Sequence, residues 1–531
     1  MSVTTRSLLF AGLLFDAAIL AAPQSLAANG QADAVVRSTT RLVQMNVIAQ
    51  DKQGQPVTDL NKEDFQAFDN GKLCPVSVFV VESPGTASPL PPIRRDTFTN
   101  QFTRTTGARS AYAVVLLDWL NTGWSDQARA RQQVIRMLRR IEPNDRIALY
   151  VLGQNLRVIS DFGDDTARLL EKLAALRGDP QSRDGFPAAG IYDASVSTFD
   201  QGLFPSLAGT GRPANDSSKK EQMFFLGQRV RQTLAAFQEI AAHLTNVPGQ
   251  KTLIWVSAGF PLTVLQSISD GALHDERNYN DKIEPVLQQL NNADVAVYPI
   301  DARGLTASPS AYDTIWTMKE LAARTGGVAW YNRNDLDFGM RKDLDDIRFS
   351  YTLGFLPPAE AKPGFHRVQV KLRRIGVSLR YRDGYYLGEL NNSSLEDRRT
   401  ALARAMDSPV DSAAVPITVR AARSGDALRL HISLDAGKLS LHWEAGIWQG
   451  KLEIQELFSD AGGRWMGSAA SNVVEIRMLP RTYDAALRDG LPFRITLPIP
   501  SHATTLKLLV SDVGSGKVGT LSIPLRQVTE N

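Results

Sequence analysis

Residues 112–123 read YAVVLLDWLNTG, and the fold turns on how that stretch is understood. It is apolar at every position up to Leu117, not at alternate ones, which is the pattern of a strand covered on both faces in a parallel sheet between layers of helix. It ends abruptly at Asp118, and small polar residues follow before a helical pattern opens over 125–141. Ser125 is the expected N-cap of that helix, and Asp126 stands favourably in its first turn. An acid where a buried strand meets its loop lies where open α/β sheets carry binding chemistry.

Working outward, the same alternation recurs. Continuous apolar segments RIALYVLG (146–153), LRVIS (156–160), KTLIWVS (251–257), DVAVYPID (294–301) and GVAWY (327–331) are separated by helical stretches at 164–176, 223–244, 281–292, 312–324 and 335–347. Strands interleaved with helices imply a parallel sheet covered on both sides. Residues 177–220, rich in Gly, Ser, Asp and Pro and without a period, are expected to form a surface insertion.

On either side the grammar changes to short alternating strands with Gly, Asp and Pro turns, at 41–82 and again at 349–388. Neither half is large enough to close a sandwich alone. The halves 36–84 and 349–389 are therefore expected to pair into one β-sandwich, with 85–110 as a Pro/Thr/Ser-rich linker and the α/β unit, 111–348, inserted at a loop. A helical linker at 390–412 leads to a C-terminal β-sandwich, 413–531, with seven alternating segments. The fold class expected is multidomain α/β plus all-β.

The 531 residues are 43% hydrophobic and 22% charged, a globular composition. The net charge of +3 comes from 59 basic and 56 acidic residues mixed along the chain, with no basic stripe interleaved with aromatics, so nucleic acid is not an expected partner. Residues 1–28 carry one early Arg6, an apolar stretch and small residues before Ala28, the pattern of a secretory signal peptide. The mature chain is expected to be exported, periplasmic or extracellular, with no transmembrane segment. Cys74 is the single cysteine and reads as a small buried strand residue.

The usual catalytic constellations are missing from the sequence. His243, His274, His366, His431, His442 and His502 have no ligand spacing, and Ser257 lacks the glycines of a nucleophile elbow. GSGKVG at 514–519 is expected to be a hairpin turn, not a phosphate loop, because strands flank it. DLDFGMRKDLDD at 335–346 spaces its apolar residues as an amphipathic helix. The chain is read as not an enzyme; a hydrolase of envelope polymers is the alternative.

The segments VVLLDWLNT (114–122), NDRIALYVLG (144–153), KTLIWVSAGFP (251–261), VAVYPIDARGL (295–305) and LAARTGGVAWYN (321–332) resemble a von Willebrand factor type A domain. With the flanking segments 47–72 and 351–388 and the terminal 508–525, the arrangement is similar to VWFA-related secreted proteins of the kind abundant in Acidobacteria. The resemblance implies a Rossmann-like domain inserted in a β-sandwich. It also implies a divalent cation held by Asp-x-Ser-x-Ser on the first loop, a Thr on a second and an Asp on a third. Here Asp118 fills the first place, Leu120 and Thr122 replace the two serines, and Ala258 stands where the third-loop Asp belongs; the second-loop Thr cannot be placed. Mg²⁺ requires near-ideal octahedral oxygen ligation, so the site is expected to be degenerate and the protein to need no cofactor. The alternative is a metal-dependent adhesin holding Mg²⁺ through Asp118, Thr122 and Asp301. Arg303 is placed to substitute for the missing charge by pairing with Asp118 or Asp301. The function implied is metal-free adhesion or scaffolding with an unidentified protein partner, through Asp118, Trp119, Asn121, Thr122, Ser257, Phe260 and Asp301.

Overall fold

The computed structural model describes residues 42–82, 94, 96–101, 111–140, 146–162, 166–178, 216–247, 250–260, 263–266, 275–278, 280–305, 311–388 and 395–530. All of them belong to one compact unit, Arg41–Asn531. The expected signal peptide and most of the 177–220 insertion lie outside the described residues. The molecule is a mixed α/β protein in which strands predominate and most strand pairings are antiparallel.

The stretch quoted first forms the central strand, Ala111–Asp118, of a five-stranded sheet. Across the sheet the order is Val295–Asp301, Gln250–Ser257, Ala111–Asp118, Arg146–Leu152 and Leu156–Ser160. The first four run parallel, and the last turns back antiparallel along Arg146–Leu152. Successive side chains point to opposite faces, so Val114 and Leu116 enter one core with Val230, Phe237, Leu287 and Met318. Val115 and Leu117 enter the other with Val134, Leu173, Leu336 and Met340. Both faces are covered by helices, which is why the strand is apolar throughout.

Three local expectations are corrected. GVAWY at 327–331 forms no strand, only a single parallel bridge from Trp330 to Ile300. The first helix runs Trp124–Leu138 with Gly123, not Ser125, as N-cap and no side-chain cap. Instead Gln127 reaches back, its Nε2 donating to Thr122 O at 2.8 Å. The helix expected from 223 starts earlier, spanning Asp216–Leu244, so the insertion ends sooner than its composition suggested.

Strands from before and after the α/β unit pair directly. Val43–Gln50 lies between Ser350–Phe355 and Ser378–Arg380, and Phe65–Asp69 pairs with Gly364–Leu372. The two four-stranded sheets enclose Met45, Val47, Phe65, Leu353, Phe355 and Val370. Cys74 is buried among them, and burial pushes its thiol pKa up.

After helix Leu395–Asp407, two further five-stranded sheets face one another around Val419, Leu430, Ile454, Leu508 and Ile523. GSGKVG lies at the hairpin between Thr505–Asp512 and Val518–Pro524. A helix at Pro480–Asp489 was not foreseen; its Tyr483 stacks on Trp448 with ring centroids 4.3 Å apart. The 85–110 segment is not simply a linker: Thr97–Thr99 adds a strand antiparallel to Ile417–Ser424. Asn100 fixes it there, donating to Ser412 O at 2.8 Å and Val415 O at 2.9 Å and accepting from Ile417 N at 2.8 Å. Composition hid this strand because three β-prone residues leave no detectable period.

Candidate functional site

Parallel strands ending side by side bring Asp118, Ser257 and Asp301 to one edge of the sheet, each at the last position of its strand. Asp118 is fully buried. Its Oδ2 accepts hydrogen bonds from Asn121 Nδ2 at 2.8 Å, Ser257 Oγ at 2.8 Å and Trp255 Nε1 at 2.9 Å, and its Oδ1 accepts from Asn121 N at 3.1 Å. Burial raises the Asp118 carboxyl pKa above its ordinary value, and the bonds from Asn121, Ser257 and Trp255 only partly offset this. Asn121 Nδ2 also donates to Thr233 Oγ1 at 2.7 Å, which ties the loop to helix Asp216–Leu244. Thr122 Oγ1 accepts from Ala258 N at 3.1 Å, and Ser257 Oγ accepts from Gly259 N at 2.8 Å. Gly259 makes that turn at φ +77, where a side chain would be strained and would crowd Met318 and Thr314.

Asp301 belongs to a second knot. Arg303 grips it with Nε to Oδ1 and Nη2 to Oδ2, both at 2.8 Å, a bidentate charge-assisted pair. Arg303 Nη2 also donates to Thr314 Oγ1 at 2.8 Å, fastening the first turn of helix Ala311–Thr325 to the strand end. Of the two acids open to it in the sequence, Arg303 takes Asp301, while Asp118 is served by neutral donors alone among the described residues.

These contacts do not suit a divalent cation. The oxygens of Asp118 are committed to four protein donors, Asp301 to a guanidinium, and Thr122 Oγ1 to a backbone N–H. Among the described residues Asn121 Oδ1 has no hydrogen-bond partner, but one neutral carbonyl does not replace a lost carboxylate. Among the described residues, no group of three or more His, Cys, Asp or Glu is arranged to hold a metal ion.

The seven residues expected to form the contact surface do gather here, yet none presents its side chain to solvent. Asp118, Ser257, Phe260 and Asp301 are 0% exposed, Trp119 2%, Thr122 4% and Asn121 6%. Trp119 packs in one helix-covered core and Phe260 in the other. The expectation of an exposed surface made from them is therefore corrected. The apolar side chains that reach solvent stand just beyond these loops: Trp124 after the Asp118 loop, Leu305 after Asp301, and Tyr312 and Trp316 one turn apart on the helix that Arg303 fastens. Tyr312 is 71% and Trp316 52% exposed. The sequence signal for this pair was two large aromatics at i and i+4 outside the buried set of their helix.

No family model matches the chain, and no curated protein does either. Solved structures similar to it include an aerotolerance-related membrane protein from Bacteroides fragilis, at 11% identity over 44% of this chain and 98% of that one, with a TM-score of 0.25. The pilus adhesin SpaC from Lactobacillus rhamnosus GG is 8% identical over 88% of this chain and 57% of its own, also at 0.25. Proximal thread matrix protein 1 from the mussel byssus is 11% identical over 45% of this chain and 47% of that one, at 0.23. Scores of this size carry no argument about fold or function. Among the described residues, no helix is long and apolar enough to cross a membrane.

Proposed function

We propose that this chain is an exported, non-enzymatic binding protein, an adhesion or scaffold component built around a von Willebrand type A-like domain whose metal loop has become a closed hydrogen-bonded knot. The family reading is supported by a first strand at the centre of the sheet, an antiparallel edge strand at Leu156–Ser160, and an acid, Asp118, closing the first strand. The observation that carries the function is the burial of every donor and acceptor at that acid beside exposed Tyr312 and Trp316. The chemistry at this edge is spent on fixing loops, and among the described residues Tyr312 and Trp316 face outward together from the helix tied to it. Exposed aromatics on a fixed element suit protein contacts, since they bury large area at low entropic cost. The partner is a protein contacted through Trp124, Leu305, Tyr312 and Trp316, with no cation in the contact.

The test is retention of the purified protein on immobilised envelope proteins of the producing cells, with and without EDTA. Tyr312→Ala and Trp316→Ala are expected each to weaken retention roughly tenfold, with Leu73→Ala, an exposed residue of the first sandwich, leaving it unchanged. Equal retention for all three, or loss of retention in EDTA, would defeat the proposal.

A further inference from the structure

A buried histidine lies at the joint between the α/β unit and the C-terminal β unit. His243, 4% exposed, stands at the end of helix Asp216–Leu244. Its Nδ1 lies 2.6 Å from Asp411 O, and its Nε2 is 3.7 Å from Asp161 Oδ2. Both ring nitrogens therefore face acceptors, and a neutral imidazole has only one N–H to offer.

Residues 408–413 are bound on both sides. Towards the helix, Ala413 N donates to Ala242 O at 3.0 Å, Asn246 Nδ2 to Ala413 O at 2.9 Å, and Ser408 Oγ to Glu239 Oε2 at 2.8 Å. Towards the C-terminal sheet, Ser412 N donates to Thr520 Oγ1 at 2.8 Å and Ser522 N to Asp411 Oδ2 at 2.8 Å.

We propose that His243 is a proton-dependent latch: protonated, it serves Asp411 O and Asp161 together and holds residues 408–413 tightly against the α/β unit, and on deprotonation its single N–H serves only one of the two, so the hold on that segment weakens. Among the described residues, the charged groups near it include Asp161 from the loop after Leu156–Ser160, Asp411 from the segment itself and Glu239 one turn back on its own helix. Lys507 donates to Met406 O and Ser408 O from the sheet beyond. Tyr150 OH donates to Asp161 Oδ1 at 3.1 Å, and the Phe162 ring stacks on the imidazole at 6.4 Å. Burial opposes the charged ring, but Asp161 and Asp411 outweigh it and raise the His243 pKa above 6.5. A histidine raised on folding contributes stability that is fully present below its unfolded value and lost as pH rises through the folded one. The latch is therefore tighter at low pH and weaker at high pH.

Hydrogen exchange of the full chain, followed by mass spectrometry and corrected for intrinsic rates, tests this. Between pH 6 and 9, protection of 408–413 is expected to fall about tenfold for each unit by which the pKa is raised, while strand Ala111–Asp118 stays protected. His243→Gln should show low protection at both pH values. Asp161→Asn, at a half-exposed site, should fold normally and move the loss to lower pH. A parallel pH slope in wild type and His243→Gln, or an unmoved midpoint in Asp161→Asn, would overturn the latch.

Discussion

Asp118 shows how far one side chain can change what its loop does. A buried carboxylate without a cation is costly unless hydrogen bonds replace water, and here Asn121, Trp255 and Ser257 supply them. Asp118→Ala strands Trp255 Nε1 and Ser257 Oγ in the interior, and a loss of about 2–5 kcal/mol is expected by urea denaturation. In parallel, calorimetric titration of the chelator-stripped wild type with Mg²⁺, Mn²⁺ and Ca²⁺ is expected to show no saturable site up to millimolar metal; one-site binding abolished by Asp118→Ala would reverse that reading. Lys251 makes the opposite case, a buried cation at the start of its strand, with Nζ donating to Val247 O at 2.7 Å. Burial lowers its pKa to about 8. The unfolded chain then holds the extra proton between about 8 and 10.5, so stability gains with rising pH across that window. The wild-type minus Lys251→Met difference in unfolding free energy is expected to move towards the wild type from pH 8 to 10; a flat difference would show that Lys251 is not ionised differently in the two states.

Among elements, the informative one is the short strand Thr97–Thr99. It lies in a stretch that reads as linker, yet Phe98 packs against the terminal core and Asn100 satisfies three backbone groups of 412–417. Asn100→Ala is expected to cost about 1–3 kcal/mol and to speed amide exchange at Ile417–Ser424 without affecting the parallel sheet. Unchanged exchange there would show the strand to be decorative. Helix Ala311–Thr325 illustrates a different point. Its inner face packs through Met318 and Leu321, its first turn is tied to Asp301 through Arg303, and its large outward apolar residues are Tyr312 and Trp316. Where the two aromatics point is thus set by that apolar packing together with the part-buried Asp301–Arg303 pair.

At the scale of the whole molecule, the chain crosses its own α/β unit to complete a sandwich. Val43–Gln50 draws both its neighbouring strands from residues some 300 positions later. Arg324, bonded to Glu284 and Tyr386, and Arg382, bonded to Asp294 at 3.1 Å and to Gln44 O at 2.6 Å, clamp the two units where they meet. A chain ending at residue 348 leaves Met45, Val47 and Phe65 without Leu353, Phe355 and Val370. It is expected to bind 1-anilinonaphthalene-8-sulfonate and to lose the protection of Val43–Gln50, while the parallel sheet persists. Full protection of that strand in the truncated chain would mean that the first half folds unaided.

Local chemistry wrote the secondary structure of the α/β unit into the sequence. A strand buried on both faces must be apolar at every position, so residues 112–117 were readable at once, and Asp118 marked where burial by apolar packing stops. Alternation likewise exposed the strands of the β units, because a half-buried strand repeats every two residues. What the sequence did not carry was exposure at the sheet edge. Trp119 and Phe260 look like contact residues because they sit in loops, but they turn inward, and only the packing of the helices over the sheet decides that. The partner of Arg303 and the place of Asn100 were open for the same reason: hydrogen bonds between residues far apart in the chain leave no period behind them, and geometry alone selects among the acceptors composition provides.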